Sequence, residues 1–161
     1  MEEKFNLKDI KEQYKKLQKR YNLPSFEKLN EDFYIEKISG NETEILIREI
    51  RRHIADRIYG YLKVVEAIIN PTSAPLFLMS IIKSIDEDEK KKIWGIYEKL
   101  IKNEVNLMEV DINFSEEKEA DYIKEAYKTW QEIKKDMAEV IETVKKGKNQ
   151  NSQSRKNDYL G

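Results

Sequence analysis

The chain's one histidine, His53, lies in the run R-E-I-R-R-H-I-A-D-R. On a helix, Glu49 four residues earlier and Asp56 three residues later lie near its face. Either carboxylate could orient the imidazole, and the trio has the chemistry to move a proton or hold a cation. A structural zinc site recruits more strong ligands than this. A ferritin-like di-metal bundle needs paired Glu-x-x-His elements, yet position 50 is Ile50 and no second histidine exists. The spacing therefore points to a surface histidine held by an ion pair or a hydrogen bond. Ser73, Ser80, Ser84 and Ser115 have no patterned histidine partner and read as caps or ordinary helix residues. The glycines form no phosphate-cradling loop. Carboxylate pairs such as Glu104/Glu109 and Glu116/Glu117 carry no specificity in a chain that is 38% charged. No catalytic residue, cofactor or metal site is assigned.

The arginines are more informative. Arg48, Arg51, Arg52 and Arg57 lie within ten residues of one another. Guanidinium groups suit bidentate pairing with carboxylates and phosphates. Glu44, Glu49 and Asp56 are close in sequence, so an intrachain ion-pair network is the leading expectation. A protein partner and a phosphate backbone remain alternative occupants of the patch.

Apolar residues at three- and four-residue intervals define the elements that must position these groups. Leu7, Ile10, Tyr14, Leu17 and Tyr21 predict a first helix over about 6–21. Asn22-Leu23-Pro24-Ser25 breaks it, and Ser25 caps a short helix over 25–31. Phe33-Tyr34-Ile35 is open to a brief extended reading. A long helix over 42–69, capped by Asn41 or Thr43, carries the arginines and the stripe Ile47, Ile50, Ile54, Ile58, Tyr61, Val65 and Ile68. It would run roughly 42 Å at ~1.5 Å per residue. Gly60 inside it suggests close packing or a bend.

Asn70-Pro71 ends that helix, and Thr72 or Ser73 is expected to cap the next. The least charged stretch follows, with Leu76, Phe77, Met79 and Ile82 as anchors of either the core or a subunit contact. Asp86 and Glu89 frame a capping box. The helix behind it bears Ile93, Trp94, Ile96, Tyr97, Leu100, Ile101, Val105, Leu107 and Met108. Ser115 then caps a last long helix over 116–146, which Gly147 is expected to end. The tyrosines and tryptophans read as packing residues.

These elements predict an all-α fold, an antiparallel bundle of four long helices with one or two short inserted helices. Residues 1–146 form the bundle domain and 147–161 a mobile polar tail. With 39% apolar residues, the 161-residue chain can build one core. The absence of cysteine excludes disulfides and thiolate chemistry and fits a reducing compartment. The start lacks the apolar run of a signal peptide, and no apolar stretch is long enough for a membrane span. A cytoplasmic location without membrane contact is expected. The wealth of Lys, Glu, Ile and Tyr fits a thermophile or an AT-rich genome.

The segments L-P-S-F-E-K-L-N-E-D-F, I-R-E-I-R-R-H-I-A-D-R-I, D-E-D-E-K-K-K-I and A-D-Y-I-K-E-A-Y-K-T-W-Q-E-I-K resemble those of uncharacterised small all-helical archaeal proteins. That resemblance implies a fold and no activity. A weaker resemblance, through K-L-N-E-D-F-Y, the arginine-bearing helix and I-D-E-D-E-K-K-K-I-W-G-I-Y, is to the helical domain of GINS replication-complex subunits. It implies a subunit that binds nucleic acid or a replication partner. The residues themselves favour a non-catalytic interaction or assembly module, with a protein partner or a homodimer.

Overall fold

A computed structural model describes residues 6–40 and 45–157, with side chains described up to residue 147 except those of Ser73, Phe77 and Ser80. The described residues form an all-α bundle: α1 (Leu7–Tyr21), α2 (Phe26–Phe33), α3 (Leu46–Ile69), α4 (Leu76–Ile82), α5 (Glu87–Ile112) and α6 (Glu116–Asn157). Single 3-10 turns lie at Ile35–Ile38 and Pro71–Ser73. No described helix is long and apolar enough to cross a membrane.

Local chemistry sets the helix ends. Asn6 caps α1 in a reciprocal box with Asp9, and Asn22 closes it in the left-handed region at φ 53°. Ser25 accepts from the Lys28 amide to start α2. Tyr34, at φ 55°, turns the chain out of α2 and into a 3-10 turn, so no extended segment forms there. Asp86 and Glu89 complete the capping box of α5, and Ser115 accepts from the Lys118 amide at the start of α6. The caps expected at Asn41 or Thr43 lie outside the described residues.

Helices α3, α5 and α6 pack mutually and enclose the core. Across α5 and α6 the partners run in opposite order. Lys92 meets Glu139, Lys99 meets Glu132 at 2.9 Å, and Asn103 donates to the Thr129 hydroxyl at 2.8 Å. These two helices are antiparallel, as their short connection demands. Against α6, α3 runs parallel: Arg51 meets Glu119 and Tyr61 stacks on Trp130 at 4.5 Å. Ile47, Ile50, Ile54, Ile58, Val65 and Ile68 are buried in that core. Helices α1 and α2 cover the other side of α3. There the Tyr14 hydroxyl donates to the Pro24 carbonyl at 2.6 Å, and Tyr14 meets Phe26 edge to face.

Three expectations change. Thr72 does not cap α4; it donates to the Asn70 side chain at 2.6 Å, while Pro75 occupies the cap position. Gly60 has open space where a Cβ would be, so close packing is not its role. Gly147 does not end α6, which continues to Asn157. A Cβ there would lie 3.1 Å from the Ile81 side chain, so a bare glycine lets α4 seat Ile81 against α6. Ile81 is accordingly buried.

Two glycine substitutions should therefore move stability in opposite directions. Gly60→Ala should gain about 0.5–1 kcal/mol from helix propensity. Gly147→Val should lose roughly 1–3 kcal/mol by forcing Ile81 away. Urea denaturation followed by circular dichroism measures both, and a stable Gly147→Val variant would refute the close-contact role.

Burial, followed by the nearby Glu27 and Glu104 charges respectively, pushes the Tyr14 and Tyr122 phenols up from their ordinary value. The native state thus holds their protons more tightly than the unfolded chain does. Their contribution is complete below the unfolded value near ~10 and is lost as pH rises from there toward the raised native values. Unfolding free energy should fall above about pH 10. Tyr14→Phe should flatten that fall, and tyrosinate absorbance during alkaline titration provides the check.

Candidate functional site

Helix α3 brings its four arginines onto two different tasks. Arg51 turns into the α3–α5–α6 junction and is almost wholly buried. Its Nε donates to Glu119 Oε2 at 2.5 Å, and its Nη2 lies 2.8 Å from Asp111 Oδ1. Glu119, on the first turns of α6, is 0% exposed. Arg48 approaches the same carboxylate, Nε to Oε1 at 3.6 Å, and its guanidinium lies 3.7 Å from the centre of the Phe114 ring. Burial works against the Arg51 charge; the Glu119 hydrogen bond and the Glu119 and Asp111 charges outweigh it and hold its pKa above the ordinary value. Arg51 and Glu119, removed from water, satisfy one another, and the more exposed Asp111 and Arg48 add to the network from its rim.

Arg57 and His53 face the opposite side of α3. The Arg57 Nε donates to the Phe33 carbonyl at 3.1 Å, and His53 Nε2 lies 2.8 Å from the same oxygen. A carbonyl only accepts, so the Nε2 position carries the proton. Phe33 is the last residue of α2, and its carbonyl is one that no further helical turn can satisfy. His53 and Arg57 together cap that helix from a neighbour, and Arg57 also lies over the Tyr34 ring at 4.7 Å. Arg52 is exposed and pairs with Glu49 at 3.1 Å. Arg48, Arg51 and Arg52 are thus in intrachain ion pairs, but of the described carboxylates expected from the sequence only Glu49 takes part, with Arg52. Arg48 and Arg51 pair with the distant Glu119, and Arg51 also with Asp111. Glu44 lies outside the described residues, and Arg57 and His53 meet a carbonyl. Glu49 does not orient the histidine. Among the described residues no group of three His, Asp or Glu side chains is placed to hold a metal ion.

The apolar anchors expected in α4 divide differently. Leu76 is 86% exposed and Met79 is exposed as well, while Ile82 is partly buried. Phe77 has a side chain outside the described set. Among the described side chains of this stretch, Ile81 and Ile85 are the buried ones. Helix α4 packs on α6. It also closes a crevice of about 290 Å³ with Ile68, Ile93 and Trp94.

Sequence reading missed the second face of α5. One comb of this helix, Ile93, Ile96, Leu100, Asn103, Leu107 and Val110, faces the bundle. A second comb, Trp94, Ile101, Val105, Met108 and Ile112, occupies a different face. Val105, Met108 and Ile112 are 58%, 60% and 78% exposed. The intervals 101, 105, 108, 112 are four, three and four, the spacing of a helix–helix seam. Glu98 interrupts the comb between Trp94 and Ile101. The signal was present as a surplus: α5 has more apolar positions than one buried face can use. Only the packing tells which comb was taken.

Comparison with protein-family models, curated proteins and solved structures finds no match to this chain.

Buried Arg51 gives a direct test of the ion network. Glu119→Ala should cost about 3–5 kcal/mol, because it strands a buried guanidinium. Combining it with Arg51→Met should recover most of that loss. Chemical denaturation of the two single variants and the double variant measures the coupling; strictly additive losses would mean that the pair is not energetically linked.

Proposed function

We propose that this protein is a non-catalytic helical interaction module of the cytoplasm whose contact face is the outer comb of α5. The observation that carries this reading is the run Ile101, Val105, Met108 and Ile112 at seam spacing on a well-anchored helix: the last three are largely in water, and the partly buried Ile101 joins them to the core. An apolar row of this length marks an interaction surface more often than a scattered exposed residue does. Its spacing suits another α-helix, which would lay its own apolar stripe along the comb. The bundle of four long helices and short inserts serves as a rigid support for that face. Asn103 helps here: it is buried, and its amide donates to Thr129, pinning α5 to α6.

The arginine patch supports a nucleic-acid reading less well. Arg48 and Arg51 share the Glu119 carboxylate, Arg57 donates to a backbone carbonyl, and Arg52 has Glu49 beside it. Guanidinium groups so engaged would have to leave these partners before gripping phosphates.

Photo-cross-linking tests the contact face. A benzophenone side chain at position 108, in the cells from which the protein comes, should yield discrete cross-linked species. The same group at Lys91 on the same helix should not. No species from position 108, or equal yields from both positions, would overturn the assignment of this face.

A further inference from the structure

We infer that the occupant of the α5 comb is a second copy of this chain, docked with its own α5 antiparallel. This inference rests on the contact face argued above and names its partner. Three observations lead to it.

The first is the symmetry of the comb. In antiparallel pairing about a twofold axis, Ile101 meets Ile112 of the other copy and Val105 meets Met108. The twofold axis repeats both contacts, so these four residues form four apolar layers, Ile101 adding the face its own bundle leaves uncovered, with Trp94 lying outside them.

The second is charge. Lys102 and Glu109 flank the comb along one edge, and Glu104 and Asp111 flank it along the other. Antiparallel seams bring like edges together. Lys102 of each copy then lies near Glu109 of the other, giving two cross-subunit ion pairs. On the opposite edge Glu104 nears Asp111, whose charge Arg51 already balances at 2.8 Å. Parallel pairing would instead place Glu104 against Glu109 of the other copy, two carboxylates with no cation between them. Lys102 forms no ion pair of its own among the described residues, and Glu109 has only a 3.7 Å approach from Lys118.

The third is the position of Glu98, which occupies a seam position one heptad before Val105. Sliding the copies by one heptad would press Glu98 against Met108 and desolvate a carboxylate. The register with Ile101 opposite Ile112 leaves Glu98 beyond the end of the other copy's α5. Charge and burial thus select one orientation and one register.

Sedimentation equilibrium of the full chain tests this. The mass should rise with concentration from 19.2 kDa toward twice that value. Met108→Lys, at a solvent-facing site, should weaken association by at least about tenfold with the circular dichroism spectrum unchanged. Lys102→Glu or Glu109→Lys alone should weaken it by about fivefold, and the two together should restore it. Failure of the double swap to restore association overturns the antiparallel register. A chain that stays monomeric to millimolar concentration, or a dimer indifferent to Met108→Lys, overturns self-pairing. Cross-links from position 108 to a species other than this chain would then leave the contact face standing and reject only the second copy as its occupant. The absence of any such species would reject both.

Discussion

The arrangement of the three long helices depends on one buried ion pair. Arg51 of α3 and Glu119 of α6 meet where neither is accessible to water, and Asp111 at the end of α5 completes the contact. A guanidinium and a carboxylate in such a place are costly unless each finds its partner with good geometry. Apolar stripes alone tolerate small rotations and sliding between helices. A bidentate ion pair does not, because a shift of one turn would leave both charges stranded. Its value is in selecting one register, as Asn103 does again two turns before the end of α5 through its hydrogen bond to Thr129.

With α3 and α6 so placed, α5 must present one comb to both. The comb of Ile93, Ile96, Leu100 and Val110 is consumed, while in the second comb Ile101 is only partly packed on the core and Val105, Met108 and Ile112 have no neighbour among the described residues that buries them. A helix cannot bury both combs against two neighbours on the same side. The short helix α4 does not cover the surplus, because it is seated against α6 through Ile81 and Gly147. The exposed surface of α5 follows from this geometry as much as from composition.

The smaller helices are held by polar fasteners. His53 and Arg57 reach from α3 to the last carbonyl of α2, Tyr14 reaches the Pro24 carbonyl, and the Tyr21 hydroxyl donates to Glu116 at 2.8 Å. The first two satisfy carbonyls that a helix end or a turn leaves open, and the third ties α1 to a carboxylate at the start of α6. This explains why residues that suggest chemistry in sequence, a histidine beside carboxylates and a cluster of arginines, serve as structural supports. Helical spacing placed Glu49 near His53. It could not show that a carbonyl twenty residues away in sequence would meet the ring first.

By itself, the sequence determined the helical class, the caps at Ser25, Asp86 and Ser115, and the apolar faces of α1 and α3. Those features depend on neighbours within four residues, where periodicity and side-chain-to-backbone hydrogen bonds act. Tertiary structure decided the rest. It turned Gly147 from a helix end into a seat for Ile81, because the need for a bare Cα arises only when another helix arrives. Leu76 and Met79 stayed in water for the same kind of reason: a helix apolar on every side shows no preferred face until its neighbours are placed. The pairing of Arg51 with Glu119 spans 68 residues, a separation at which no spacing rule operates. The choice between the two combs of α5 was likewise made by packing, since both have the spacing of a seam and the bundle had room for one.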